Sequence, residues 1–370
     1  MANSDEQYIL KALELAAQAA GNVEPNPMVG CVIVKDDCVI GQGWHEEFGK
    51  AHAEVNAIAD CNANGNDPAG AKMYVTLEPC SHYGKTGPCC EAVIEAGVAK
   101  VVAAIGDPSE HVAGKGFERL AQAGIEVVVG VCQRQAELLN PGFIKLAKQK
   151  LPWVIVKWAQ SKDGFLAWGN PFERGQWISN EASREDVHKL RRRCQAIIVG
   201  VDTVIADDPK LTARPAGRKR ILRVVMDSIL RVPLGCKVLD TKEAPTLIVT
   251  TQKAFYKNPG KAEEIIAKGA EVLAVKETDG RCDIGELLID LGKRNIQTVL
   301  VEGGVKIIDS FITGGYADAA QIYISPNELA DDGDIPASEN MRQLVDKHQL
   351  SDVAETNFDG DTRITGVLTR

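Results

Sequence analysis

The chain has 370 residues and a formal net charge of −9, with 45% hydrophobic and 25% charged residues. This length predicts two domains, each able to bury its own core. The negative charge argues against a nonspecific binder of nucleic acid or of a membrane surface. No stretch approaches the roughly 18 apolar residues of a membrane span. The first residues predict an amphipathic helix and no export signal, so the ten cysteines indicate reduced thiols or metal ligands in a cytoplasmic protein.

The first part of the chain alternates predicted helices and strands. After the opening helix, apolar runs at residues 28–34 and 38–43 flank the turn Asp36-Asp37 and predict a hairpin. The next elements, in chain order, are a helix over 52–59, a strand over 73–77, a helix over 89–96, a strand over 101–105, a helix over 116–123 and a strand over 125–131. This alternation predicts an α/β sheet with helices on both faces, whose three later strands run parallel.

A domain boundary is predicted between residues 147 and 148, where a basic helical stretch ends before Leu151-Pro152. The second part repeats the alternation without resembling the first. It has predicted strands at 153–158, 196–200, 223–227, 246–250, 271–275 and 298–302, and predicted helices at 180–193, 261–268, 284–294 and 306–314. The chain is therefore interpreted as a fusion of two different α/β domains.

Four residues of the first part form a zinc-hydrolase pattern. His52, Cys80 and Cys89 offer three ligands and leave a fourth zinc position open for water, as in catalytic sites. Glu54, two residues after His52, is placed to take a proton from such a water and pass it to a leaving amine. Together these residues match the H-x-E…P-C signature of zinc deaminases. The alternative is a core histidine with buried thiols.

Eight residues, at positions 81–88, separate the two candidate cysteine ligands, where the usual signature has two. This spacer contains His82, Lys85 and Thr86, which can hold an anionic group such as a phosphate; the alternative is a solvated basic turn. Cys89 is predicted as the ligand in preference to Cys90 because it comes first at the helix entrance.

The second part lacks a G-x-G-x-x-G motif after a strand, so a Rossmann fold is not supported. Instead, Glu302-Gly303-Gly304 ends an apolar strand and leads into a helix, where backbone can approach a pyrophosphate. A polar cluster at residues 200–212 also follows a strand, at the end where α/β sheets bind ligands. The alternatives are an ordinary turn and a solvated acidic loop.

At this point the sequence resembles a known family, the bifunctional riboflavin-biosynthesis deaminase/reductases of bacteria. The segments that carry the resemblance are 25–30, 52–54 and 78–90 in the first part and 157–164, 176–179, 202–209 and 302–304 in the second. The resemblance thins after about Pro326. It implies a cytidine-deaminase-like α/β/α domain over residues 1–147, with one Zn²⁺, and a dihydrofolate-reductase-like α/β domain over residues 148–370, with NADPH.

The resemblance also implies residue roles. Contacts to the deaminase substrate are expected from Asn26, His45, His82 and Lys85. Contacts to NADPH are expected from Ala159, Trp177, Thr203, Asp207, Ser228, Gly304, Val305, Lys306, Ile307, Ile308, Asp309 and Ser310. Contacts to the reductase substrate are expected from Gly175, Arg191, Leu211, Arg214 and Glu302. The two arginines suit phosphate, whereas Gly175 stands where the family commonly has Ser or Thr.

The implied activity has two steps. The first is hydrolytic deamination of 2,5-diamino-6-(5-phosphoribosylamino)-4(3H)-pyrimidinone. The second is NADPH-dependent reduction of the ribosyl group of 5-amino-6-(5-phosphoribosylamino)uracil to ribityl, with Lys157 and Asp207 as candidate proton donors. The family resemblance also implies a homo-oligomer. The alternatives are another zinc nucleobase or nucleoside deaminase fused to an unrelated α/β domain, and a catalytically silent, zinc-stabilised binding protein.

Overall fold

The computed structural model describes residues 4–81, 87–109, 113–169, 177–216 and 220–369. The chain divides into two compact units, Met1–Lys150 and Leu151–Arg370. The boundary expected from the sequence, between 147 and 148, falls inside the last helix of the first unit, which ends at Gln149. None of the helices in the described ranges is long and apolar enough to cross a membrane.

The first unit has a five-stranded sheet in the order β2-β1-β3-β4-β5. Its elements are α1 (Ser4–Ala17), β1 (Gly30–Lys35), β2 (Cys38–Trp44), α2 (Ala53–Ala63), β3 (Lys72–Val75), α3 (Cys89–Glu95), β4 (Lys100–Ala103), α4 (Lys115–Gln122), β5 (Glu126–Val129), α5 (Gln133–Leu139) and α6 (Pro141–Gln149). Strands β1 and β2 form the predicted antiparallel hairpin. Strands β3, β4 and β5 run parallel, as predicted.

Helices cover both faces of this sheet. Alternate residues of β1 point to opposite faces and pack against different helices. Cys31 and Ile33 pack in one apolar cluster with residues of α2, α3 and α4. Val32 and Val34 pack in another with residues of α1 and α5. The α/β/α layering expected from the sequence is therefore confirmed.

The second unit is built on a nine-stranded sheet in the order β11-β10-β9-β8-β14-β6-β15-β18-β17. Its elements are β6 (Trp153–Gln160), β7 (Phe165–Trp168), α7 (Glu181–Arg193), β8 (Ala196–Gly200), α8 (Val201–Asp207), β9 (Leu222–Met226), β10 (Thr246–Thr251), α9 (Gln252–Lys257), α10 (Pro259–Ala267), β11 (Glu271–Val275), β12 (Glu277–Thr278), β13 (Arg281–Cys282), α11 (Ile284–Lys293), β14 (Thr298–Val301), α12 (Val305–Thr313), β15 (Ala319–Ile324), β16 (Gly333–Pro336), α13 (Glu339–Val345), β17 (Leu350–Phe358) and β18 (Asp361–Leu368).

Seven neighbouring strands of this sheet, β11 to β15 in spatial order, are parallel. The carboxyl ends of β6, β8 and β14 therefore lie at one edge, where doubly wound sheets bind ligands. No helix was predicted for the polar cluster at residues 200–212. Part of this cluster forms α8, directly after β8.

The hairpin of β17 and β18 was not predicted from the sequence. It joins the sheet antiparallel to β15, and most residues of β17 are exposed, so no apolar alternation marks it. This hairpin holds α7. The backbone N–H of Asn180 and the hydroxyl of Ser183 both donate to the buried Asp361 carboxylate, at 2.9 and 2.7 Å. Arg363 pairs with Asp186 of the same helix at 2.7 Å.

Candidate active sites

In the first unit, three potential ligand atoms of a metal ion meet between two helix starts and a loop. His52 precedes the first residue of α2, Cys89 opens α3, and Cys80 lies in the loop after β3. His52 Nδ1 lies 3.1 Å from Cys89 Sγ and 3.6 Å from Cys80 Sγ, and the two sulfurs are 3.3 Å apart. These separations are near the roughly 3.5–3.8 Å edges that zinc bond lengths give in a tetrahedron. The donor set thus fits Zn²⁺.

Glu54 lies beside this donor set in the first turn of α2 and is only 3% exposed. Its carboxyl group lies close to the thiol of Cys89. Burial raises the pKa of Glu54 to about 7, which suits a group that must take up and release a proton near neutral pH. The structure therefore brings together all four residues predicted for the zinc site.

The hydrogen bond between the two sulfurs shifts their pKa values in opposite directions, lowering that of Cys80 and raising that of Cys89. The Cys80 sulfur accepts hydrogen bonds from the Cys89 thiol and backbone N–H, and these lower the pKa of Cys80 to about 4. The hydrogen bond to Cys80 raises the pKa of His52. Cys90 takes no part, because its buried thiol donates to the carbonyl oxygen of Pro79 at 3.2 Å.

Two residues expected to contact the deaminase substrate lie beside the zinc ligands. The imidazole of His45 is 5.2 Å from that of His52, centroid to centroid, and its Nε2 lies 3.2 Å from the side-chain nitrogen of Asn26. His45 Nδ1 bonds the carbonyl oxygen of Ala51 at 3.0 Å, and burial lowers the pKa of His45. His82 and Lys85, the other two expected contacts, lie outside the described residues.

Sequence reasoning gave no role to Glu78, although it holds the loop that carries Cys80. Its carboxylate, 3% exposed, accepts backbone N–H bonds from Asp107, Gly114 and Gly116 at 3.0, 3.0 and 2.8 Å. Gly116 is required here because a Cβ on it would lie 2.1 Å from the carbonyl oxygen of Pro79. A carboxylate next to Pro79-Cys80 was visible in the sequence, but its partners were not.

In the second unit, a buried ion pair forms the centre of the expected substrate site. Glu302, directly after β14, accepts two bonds from the Arg191 guanidinium of α7, at 3.1 and 2.6 Å. The side chains are 10% and 16% exposed. Burial disfavours the charged forms, but the pairing lowers the pKa of Glu302 and raises that of Arg191.

Arg191 also connects this pair to the segment that carries Leu211 and Arg214. Its guanidinium donates to the carbonyl oxygen of Thr212 at 3.2 Å. Leu211 is buried and has a positive φ of 51°. Lys157 of β6, next to Glu302, has its pKa lowered by burial and lies with its Nζ 5.5 Å from the centre of the Tyr323 ring. Gly175 lies outside the described residues.

Some of the residues expected to contact NADPH line the same sheet edge. Ala159 lies near the carboxyl end of β6. Gly303 has a φ of +116°, and a Cβ on it would meet Thr203 Oγ1 at 2.7 Å, so the turn before α12 contacts α8 closely. Gly304 caps the nine-residue helix α12, whose first N–H groups, in Val305, Lys306 and Ile307, are free of intrahelical partners.

Other expected cofactor residues are positioned differently. Trp177 is 61% exposed and Arg184 stacks on it at 5.6 Å, while Asp207, at the end of α8, has its pKa raised by burial. Ser228 Oγ accepts a bond from the backbone of Cys282. On α12, the Ile308 side chain is buried in the core, Asp309 accepts bonds from Ser338 and Asn340, and the Ser310 hydroxyl donates to the Lys306 carbonyl oxygen.

Comparison with known proteins covers both units. Residues 2–105 match the cytidine and deoxycytidylate deaminase zinc-binding region, and residues 152–355 match the RibD C-terminal domain. The chain is 42% identical over 328 residues to riboflavin biosynthesis protein RibD of Aquifex aeolicus, covering 88% of each protein. It is 38% identical over 341 residues to its counterpart in Escherichia coli, covering 89% of each.

The chain belongs to the RibD family.

Solved structures of RibD proteins agree with this assignment over the whole chain. Acinetobacter baumannii RibD is 34% identical and superimposes with a TM-score of 0.82, covering 99% of both chains. The Thermotoga maritima protein, described as a diaminohydroxyphosphoribosylaminopyrimidine deaminase and 5-amino-6-(5-phosphoribosylamino)uracil reductase, is 32% identical with a TM-score of 0.81 and the same coverage. The chain is thus a bifunctional riboflavin-biosynthesis enzyme with a zinc-binding deaminase domain and an NADPH-dependent reductase domain. The alternative of an unrelated second domain is wrong.

Proposed function

We propose that this RibD chain deaminates 2,5-diamino-6-(5-phosphoribosylamino)-4(3H)-pyrimidinone and then reduces the ribosyl group of the product, 5-amino-6-(5-phosphoribosylamino)uracil. In the first step, the oxygen of water bonds to C2 of the pyrimidine and the amino group leaves as ammonia. In the second, a hydride joins C1′ of the sugar and a proton completes the reduction to ribityl. The observation that carries the proposal is the buried Glu54 beside His52, Cys80 and Cys89, on a chain that also has the RibD reductase unit.

The residues of the first unit divide the work of deamination. His52, Cys80 and Cys89 would hold Zn²⁺, which when bound makes water a stronger nucleophile at neutral pH. Glu54 would hold the proton taken from that water and deliver it to the leaving amine, because its carboxyl group faces the ligands and titrates near neutrality. Asn26 and His45 would orient the pyrimidine, since His45 lies beside His52 and Asn26 contacts His45.

The second unit would bind NADPH, which supplies the hydride, along the edge formed by β6, α8 and the turn before α12. Arg191 and Arg214 would bind the sugar phosphate, and Glu302 would fix the guanidinium of Arg191 in position. Lys157 is the better placed of the two candidate proton donors. It lies in the charged cluster with Arg191 and Glu302, whereas Asp207, although partial burial raises its pKa, is on the solvent-accessible end of α8.

Two assays with the purified enzyme test the two steps separately. Ammonia release is measured with the diaminopyrimidine phosphate and with cytidine as a matched substrate, and turnover of cytidine alone would refute the assignment. NADPH oxidation is then measured with the deaminated substrate and, as control, with the diaminopyrimidine phosphate in a Glu54→Gln variant, which should not deaminate it. We expect the reductase to prefer the deaminated compound. The homo-oligomeric state and the cytoplasmic location of the protein stay predictions.

A further inference from the structure

One polar atom near the Arg191–Glu302 pair has no partner. The Nδ1 atom of His188 is buried and makes no hydrogen bond with any residue in the described part of the chain. A buried imidazole nitrogen without a partner is costly, because folding removes it from water without replacing the lost hydrogen bonds. Such an atom is completed by a bound ligand or by an ordered water.

The position of His188 on α7 points to which ligand that is. His188 lies three residues, close to one helical turn, before Arg191, so both side chains lie on the same face of α7. That face is turned toward the end of β14, because Arg191 reaches Glu302 there. His188 is therefore on the side of the helix that faces the expected substrate.

The charges that act on the imidazole agree with this location. They belong to Arg191, Arg214, Lys157 and Glu302, the residues that surround the expected sugar-phosphate position. Burial, followed by the two arginines, lowers the pKa of His188, so the ring is neutral and offers one donor and one acceptor. A sugar hydroxyl matches it best, because a hydroxyl group can donate to or accept from either tautomer.

We propose that His188 is a substrate-binding residue of the reductase, whose Nδ1 atom hydrogen-bonds a hydroxyl group of the phosphoribosyl chain. This inference rests on the proposed reductase activity of the second unit. It adds a contact that positions the sugar between the arginines that bind its phosphate and the edge that binds NADPH. Glutamine can replace such a contact, because its amide also offers a neutral donor and acceptor, whereas leucine cannot.

The experiment compares His188→Leu and His188→Gln with two controls in the same unit, Lys189→Gln on the exposed side of α7 and His348→Leu, an exposed histidine. KM and kcat are measured for 5-amino-6-(5-phosphoribosylamino)uracil and for NADPH. We expect His188→Leu to raise KM for the sugar substrate about tenfold, the usual effect of one lost hydrogen bond. KM for NADPH should stay within twofold, His188→Gln should recover most of the loss, and both controls should match the wild type.

Several outcomes would overturn this role. One is a KM for the sugar substrate that stays within twofold in His188→Leu. Another is an equal rise in KM for NADPH together with a lower unfolding temperature, which indicates a purely structural histidine. A third is a loss that glutamine fails to rescue although the variant unfolds at the wild-type temperature, which indicates a role other than a neutral hydrogen bond. If the wild type itself does not oxidise NADPH with this substrate, the proposed reductase function fails and this role fails with it. Normal turnover in all variants refutes His188 alone.

Discussion

The zinc-ligand set and the Arg191–Glu302 cluster differ in how the chain assembles them. His52, Cys80 and Cys89 come from 38 consecutive residues, and their loop is held by backbone N–H groups that converge on Glu78. The second cluster joins β6, α7 and the residue after β14, and Arg191 and Glu302 are 111 residues apart. The first site is therefore a local construction, whereas the second depends on the packing of a whole sheet. We therefore expect substitutions in the first site to act on that site alone, and substitutions in the second to change the stability of the second unit.

The largest effect is expected from Glu54→Gln. Removing the proton-transfer group should lower the rate of deamination by about a thousandfold, within the usual range for a general base. Because Glu54 is not a ligand, zinc content measured by metal analysis should equal that of the wild type. NADPH oxidation with the deaminated substrate should be unaffected, which would confirm that the two sites act independently. Glu95→Gln, an exposed carboxylate of α3, is the control, and equal deamination by both variants would contradict the role of Glu54.

Next in size is the effect of Arg191→Met on the second unit. It leaves the Glu302 carboxylate buried without its guanidinium partner, which typically costs about 3 kcal/mol. Urea unfolding should show this loss, and Arg192→Met, an exposed neighbour on α7, should be neutral. Pairing Arg191→Met with Glu302→Met should recover stability without recovering reduction. A stable single variant would show that this cluster is less dependent on its ion pair than the geometry indicates.

The same pair predicts a pH dependence of stability. Although burial opposes ionisation, the charges of Arg191 and Lys157 lower the pKa of Glu302 below its ordinary value. A carboxylate whose pKa is lower in the folded state stabilises the fold above its unfolded pKa of about 4.3 and stops doing so as pH falls through the folded pKa. The difference in unfolding free energy between the wild type and Glu302→Gln should thus be constant near neutral pH and shrink below about pH 4.3. A difference that grows on acidification would contradict this assignment.

A smaller effect is expected from Gly116→Ala, which tests the local construction of the zinc site. The new methyl group would displace the carbonyl oxygen of Pro79 and the loop to Cys80, with a cost of about 2 kcal/mol. Gly106→Ala is a matched control, since its Cβ would meet only ordinary contacts at 3.5 Å and beyond. Thermal unfolding and zinc affinity should change in the first variant alone. Equal behaviour of the two would show that Glu78 and its loop do not constrain the ligands.

The smallest effect is expected from Asp361→Ala in the β17–β18 hairpin. It leaves the Asn180 N–H and the Ser183 hydroxyl without their acceptor, at a cost of about 1–2 kcal/mol. Because α7 also carries Arg191, KM for the sugar substrate should rise modestly. Glu355→Ala, at an exposed ion pair of β17, should be nearly neutral. Unchanged stability in Asp361→Ala would show that packing and the Arg363–Asp186 pair hold α7 without these two bonds.

The local zinc site could be predicted from the sequence, whereas contacts between distant segments could not. The zinc pattern was readable because its ligands lie at two helix starts and a strand end within one short segment. Most strands of both sheets were also predicted, since each is a short apolar run between turn residues. In contrast, the polar residues of β17 hid the hairpin, and the partners of Glu78 and His188 depend on which loops and helices pack together. Periodicity and motifs contain no such information.

The hairpin also bears on how the protein is made. All the ligands expected to hold zinc, and the strands that position them, belong to the first 150 residues, so a growing polypeptide can complete that unit early. Helix α7 has to wait for Asp361, which the ribosome adds 181 residues after Asn180. Until then its Asn180 and Ser183 donors lack their acceptor, and β15 lacks its outer neighbour. Because domains generally fold as units in order of synthesis, nascent chains should acquire the deaminase fold well before the reductase fold.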